Sequence, residues 1–261
     1  NKEADADFFK AWLRSQYAGS IRERKKNATP GDWDKLGTEY HRWVRDKAAQ
    51  LKLATPKAYK SFICDEMEFY AKWYLQIRAA EQAPVEGLEN IYHNASHQFT
   101  HQATLLLAGI QPSDSPEVIR LKFRLISKYI DIYLNRRVCN FTKIDYNTMQ
   151  YNVFTVVRDI RGKSPERIAE LLRKRLDEQE ESLDGLLALY LNQWSHKPIK
   201  RILARLIDFV EVRSGAKSRY HDFIESRGKR AYEVEHIWAD KFARHKDEFG
   251  HQSEFADYRN R

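Results

Sequence analysis

Apolar residues recur at three- and four-residue spacing along most of this chain, which predicts helices rather than strands. Phe8, Phe9, Trp12, Leu13 and Tyr17 mark the first helix. A basic stretch over 19–31, holding glycine and proline, interrupts the pattern, and Trp33, Leu36, Tyr40, Trp43, Val44 and Leu51 resume it as one helix. Pro56 suits the first turn of another helix, whose apolar face runs over 62–77 until Pro84 and Gly87 break the chain again. Leu105-Leu106-Leu107-Ala108-Gly109 predicts a buried helix closed by glycine.

Two segments carry a full start signal. Ser115-Pro116-Glu117 and Ser164-Pro165-Glu166 each place a capping hydroxyl, a first-turn proline and an acid at the positive end of a helix dipole. The first opens a long helix through Leu121, Leu125, Ile126, Tyr129, Ile130, Tyr133 and Leu134, and the second continues through Ile168, Leu171, Leu172 and Leu176. Further helices are expected over 183–190, 199–210 and 241–246, and Gly250 separates the last of these from 255–261. The period changes over 231–238. Strand alternation there puts Tyr232, Val234, His236 and Trp238 on one side and Glu233, Glu235 and Ile237 on the other. The expected architecture is therefore mainly α: a multi-helix domain over 1–228, then the beginning of a small mixed domain over 229–261.

Composition narrows the class. With 42% hydrophobic and 13% aromatic residues in 261, the chain can bury a substantial core. No apolar run approaches a membrane span, and the first residues do not resemble a signal peptide. Cys64 and Cys139 form no CxxC pair, which argues against a zinc ribbon or disulfide scaffold and fits a reducing, cytoplasmic setting. The net charge of +8 favours a polyanionic partner such as DNA. Arg22, Arg24, Lys25 and Lys26 form one basic cluster; Arg227, Lys229 and Arg230 form another that leads into the strand-like run and is the expected DNA contact.

Glu235 and His236 are the pair with the clearest chemistry. Phosphodiester hydrolysis needs a base to deprotonate water and a divalent cation to offset charge on the phosphate. Imidazole suits the first task because its unperturbed pKa lies near neutrality, and a carboxylate suits the second because magnesium and manganese prefer oxygen. The two side chains can serve one site only where the strand ends or twists, since a regular strand points them apart.

Glu235-His236-Ile237-Trp238 and Tyr258-Arg259-Asn260-Arg261 resemble the C-terminal nuclease domain of the GmrSD-type, modification-dependent restriction proteins. Phe8-Phe9-Lys10-Ala11-Trp12-Leu13, Leu121-Lys122-Phe123-Arg124-Leu125, Asp131-Ile132-Tyr133-Leu134 and Ile144-Asp145-Tyr146-Asn147-Thr148-Met149-Gln150-Tyr151 resemble the helical region before it. The resemblance implies an HNH-like (ββα-metal) nuclease domain, a magnesium-class ion, and foreign, often modified, DNA as substrate in bacterial antiviral defence. It also implies a nucleotide-hydrolysing domain of the same protein as partner. On that basis His236 is the general base and Glu235 the metal-associated acid. The family's histidine-x-x-proline has Ala239 in place of proline, and the family's Asp-Gly-Gln-Gln-Arg motif has no counterpart here. The remaining half of the nuclease motif is expected past Arg261, so the chain is read as a piece of a longer protein, inactive alone.

Rival signals have blander readings. His93, His97 and His101 would share one helix face and could hold zinc or nickel, but read first as partly buried or hydrogen-bonded histidines packed on aromatic helices. His245 and His251 read as surface residues on a short helix rather than metal ligands. The tryptophans and tyrosines could stack on bases, yet they fall on the apolar stripes and read as core. Arg136, Arg137, Arg158 and Arg161 could meet phosphate or neighbouring acids. The competing function class is a helical module that binds DNA or a protein partner without chemistry.

Overall fold

The computed structural model describes residues 4–23, 25–193, 195–225, 232–236 and 238–260. Among them the regular structure is helical, no strand is formed, and no helix is long and apolar enough to cross a membrane. The helices gather into two compact units, one of Asn1–Arg137 with Lys143–Glu180 and one of Val138–Thr142 with Glu181–Arg261. The boundary expected at 228 falls outside the described residues.

In the first unit α1 (Ala4–Tyr17) is followed by α2 (Asp32–Thr38) and α3 (Tyr40–Asp46). Next, α4 (Pro56–Ser61) passes through a π-helical segment (Phe62–Met67) into α5 (Glu68–Ala80). Then come α6 (Glu89–Ala95), α7 (Gln102–Gly109), α8 (Pro116–Cys139), α9 (Tyr146–Ile160) and α10 (Pro165–Asp177). The short α7 is the hub, with every residue buried and α1, α5, α6 and α9 packed around it. A helix apolar on all sides has to be covered on all sides, and its leucines give it no solvent face. The nitrogen of its one amide is satisfied, Gln102 Nε2 donating to the Ile91 carbonyl at 3.0 Å and to Glu81 Oε1 at 3.1 Å, while the buried Oε1 has no partner among the described residues. Trp12, Trp33, Ile91, Leu106, Ile126 and Val157 form the centre of the surrounding core.

The single helix expected from Trp33 onward divides at Glu39, whose φ of −143° leaves the helical region. The reason is a tertiary contact. Trp43 Nε1 donates to Asp32 Oδ1 at 2.9 Å, a reach that a straight helix of eleven residues, about 16 Å long, forbids. The two serine starts form as expected, with Ser115 and Ser164 hydroxyls accepting from Val118 and Arg167 backbone N–H at 3.4 Å. Helix α9, absent from the periodicity reading, is capped by Asp145, which accepts from the N–H groups of Asn147 and Thr148 at 3.1 Å.

The second unit holds a 3₁₀ turn (Leu183–Ala188), α11 (His196–Arg213), α12 (Tyr220–Glu225), another 3₁₀ turn (Phe242–Arg244) and α13 (Gln252–Arg259). The helices expected over 183–190 and 241–246 are thus 3₁₀ turns. Asp208 on α11 stays buried because its carboxylate has work to do. It accepts from Arg219 N at 2.6 Å, Tyr220 N at 2.9 Å and the Ser218 hydroxyl, capping α12 from another helix. The described residues of the strand-like run, 232–236 and 238, are irregular rather than β. A strand exists through ladder hydrogen bonds, and no described segment offers this run an edge to pair with.

Candidate functional site

The run 232–238 is pinned at both ends. At its start, the Tyr232 hydroxyl accepts from Arg219 Nη2 at 2.8 Å, and its ring meets Phe223 of α12 edge-on at 5.0 Å. At its end, Trp238 enters an aromatic cluster built on α13, with ring centroids 5.4 Å from Tyr258, 5.6 Å from Phe249 and 4.6 Å from His245. Phe255, 1% exposed, sits in the middle of that cluster. Arg259 ties the same end by donating from Nε to the Trp238 carbonyl at 3.0 Å. The segment needs no strand to be held in place.

Between these anchors His236 is half-buried, and its Nε2 lies 3.0 Å from Asn260 Oδ1. Arg259 Nη1 reaches the same oxygen at 3.5 Å. A guanidinium nitrogen only donates, so the Asn260 atom facing both groups is the carbonyl oxygen, and Nε2 must carry a proton. In the neutral ring that leaves the lone pair on Nδ1. A neutral imidazole held in one tautomer by its far nitrogen is the arrangement a general base requires.

His236, Glu235, Arg259 and Asn260 line the polar wall of a cleft of about 640 Å³, faced by Leu191, Ile199 and Leu203. The Leu191 N–H donates to the Asn260 carbonyl at 2.5 Å, joining the two walls. Glu235 is exposed. The irregular backbone lets both neighbours reach one cleft, which a regular strand would not. Asn260 is the histidine's direct partner. Its position 24 residues away gives no spacing signal, because only the packing of α13 on Trp238 brings the two together.

The remaining predicted residues separate. Arg227, Lys229 and Arg230 lie outside the described residues. Among the described residues no three histidine, cysteine or acidic side chains gather as a metal site. Helix α6 ends at Ala95 and Gln98 adopts a φ of 59°, so the three histidines do not share a helix face. His101 instead stacks on Tyr146 with centroids 4.3 Å apart, and burial lowers its pKa to about 4. His251 Nδ1 accepts from Ser253 N at 3.2 Å and caps α13, while His245 stacks on Phe255 at 5.1 Å. Arg136, Arg137 and Arg161 donate to backbone carbonyls, Arg161 to those of Arg14, Ser15 and Ala18 at the end of α1. Of the first basic cluster, Arg22, Lys25 and Lys26 are exposed and Arg24 is outside the described residues.

Comparison with known proteins finds no matching family model, no matching curated protein and no matching solved structure.

Proposed function

We propose that this chain carries the histidine arm of an HNH-type, metal-dependent DNA endonuclease of the bacterial restriction class. The observation that carries the reading is the His236–Asn260 contact at a cleft wall, which frees Nδ1 as a proton acceptor. In this reading a phosphodiester lies in the cleft, His236 Nδ1 takes a proton from the attacking water, and Asn260 keeps the ring turned toward it. Arg227, Lys229 and Arg230 hold the DNA backbone, and a nucleotide-hydrolysing domain of the same protein supplies regulation.

The reading calls for a magnesium-class ion to offset charge on the scissile phosphate. Glu235 is the one carboxylate on the described cleft wall. A single carboxylate falls short of the oxygen set such an ion takes from protein, water and substrate together. The role of Glu235 is to place negative charge at the mouth of the cleft where the ion would be drawn.

The test is His236→Ala in the protein as encoded, assayed on DNA with magnesium and checked for folding by circular dichroism. Loss of cleavage by about 10²–10⁴-fold with an unchanged spectrum is expected. Undiminished cleavage removes His236 as the base.

A second reading, a partner-binding helical module without chemistry, is favoured by one observation. Leu203, Leu206, Ile207 and Val210 form an exposed apolar stripe on α11. Full phage protection by the His236→Ala protein would decide for it.

A further inference from the structure

The first unit contains a buried positive charge that its own acids leave unmatched. Arg14 on α1 is 7% exposed, with its guanidinium 4.8 Å above the Trp33 ring. Its Nε donates to the Trp33 carbonyl at 2.9 Å and its Nη1 to the Tyr146 hydroxyl at 2.7 Å. Both acceptors are neutral. Among the described residues no carboxylate pairs with Arg14. Burying a cation without a counter-charge is costly, and folded chains rarely keep one unless something supplies the missing charge.

Arg14 lines a cavity of about 420 Å³, within the size range of small-ligand sites. The other charged groups in its wall are matched. Lys10 pairs with Asp7 at 3.7 Å, and Arg78 pairs with Glu81. Beside Arg14 the Tyr146 hydroxyl accepts from Nη1, so its own proton is free to be donated. Thr104 adds a buried hydroxyl to the same wall. Gly37 shapes the site too: a Cβ there would lie 2.1 Å from Arg14 Nη2, so the glycine leaves room for the guanidinium. The cavity therefore collects one unneutralised cation and several donors and contains no unpaired acid among the described residues.

We propose that this cavity is an anion site which takes the phosphate group of a small phosphorylated ligand against Arg14. Phosphate fits better than carboxylate because the donors arrive from separate elements: Arg14 from α1, Tyr146 from α9 and Thr104 from α7. A planar carboxylate uses a two-pronged donor, whereas a tetrahedral oxyanion uses donors spread around it. This site lies wholly in the first unit and does not depend on the nuclease reading.

The experiment is calorimetric titration of the protein with inorganic phosphate near neutral pH at constant ionic strength, with acetate as the second arm. One phosphate should bind per chain with a Kd below about 1 mM, and acetate about tenfold more weakly. Arg14→Gln should remove the heat. Should that variant fail to fold, Tyr146→Phe and Thr104→Val, which remove the two hydroxyl donors, decide, each expected to weaken binding by about threefold to tenfold. No saturable heat in the folded wild type overturns the proposal. Unchanged affinity in both hydroxyl variants does the same, and acetate binding as tight as phosphate overturns the choice of ligand.

Discussion

The two compact units use the same helical vocabulary but close their cores to different degrees. The first surrounds α7 completely and buries Trp12, Trp33, Ile91 and Leu106 at its centre. In the second, Phe255, Tyr220 and Phe223 are buried, while Leu206, Phe209 and Val210 on α11 remain 57–60% exposed. The difference separates two ways of holding polar groups. In the first unit Gln102 and Lys122 are enclosed and each is fixed by hydrogen bonds; Lys122 pairs with Asp114 at 2.7 Å. In the second, His236 and Glu235 sit on an open wall, positioned by aromatic anchors and one asparagine. Enclosed groups couple to folding, and wall groups are free to meet a substrate.

The sharpest way to break this comparison is to cut each core at its centre. Trp33→Ala should cost the first unit about 3–5 kcal/mol, a large aromatic lost from a fully covered site. Hydrogen exchange should show the loss in α1, α7 and α9, with protection in α13 unchanged. Phe255→Ala should do the reverse, releasing the Trp238 cluster while α7 stays protected. If both substitutions loosen both units together, the division into separately closed cores is wrong.

Acid should act on the first unit through His101. Its pKa is lowered from the ordinary 6.5 to about 4 by burial. The unfolded chain therefore binds a proton between those values that the folded chain refuses. Stability is at its full value above about pH 6.5 and falls as pH drops toward about 4, by up to about 3 kcal/mol. Chemical denaturation at a series of pH values should show this slope, and His101→Gln should flatten it.

A smaller effect is expected from Asp208→Ala, which strips α12 of its remote cap and leaves the N–H groups of Arg219 and Tyr220 unpaired. The second unit should lose about 1–3 kcal/mol, read as faster exchange at the start of α12. Asn260→Ala should change stability least and the site most. Nitrogen NMR of the His236 ring should show the Nε2-protonated form in the wild type, with the other tautomer rising in the variant. A wild-type ring protonated on Nδ1 would sink the assignment of Nδ1 as the basic nitrogen.

The helical class could be read from the stripes, and the serine–proline signals placed the starts of α8 and α10, though α8 runs on past Leu134 to Cys139. The signal for α9 was equally local, since Asp145 caps a run with Met149, Val153, Phe154, Val157 and Ile160 buried on one side. Helix α12 carries no such signal, because its cap comes from Asp208 on α11. At the candidate site the sequence singled out Glu235 and His236 from residue type alone. It missed Asn260 as the partner of His236 and Arg259 as the tie to the Trp238 carbonyl, and it assigned a strand where anchoring by side chains holds an irregular segment.

By itself, then, the sequence determined what repeats within a few residues: helix periodicity, capping, net charge, and an acid beside a histidine. Those features depend on neighbours one helical turn away, and their physics is complete in a short window. Only the tertiary structure decided that the helix after Trp33 breaks at Glu39, that three evenly spaced histidines never share a face, and that Asn260 holds His236. Each of these outcomes was set by a contact between residues brought together by packing, where burial and hydrogen bonding outweigh local preference.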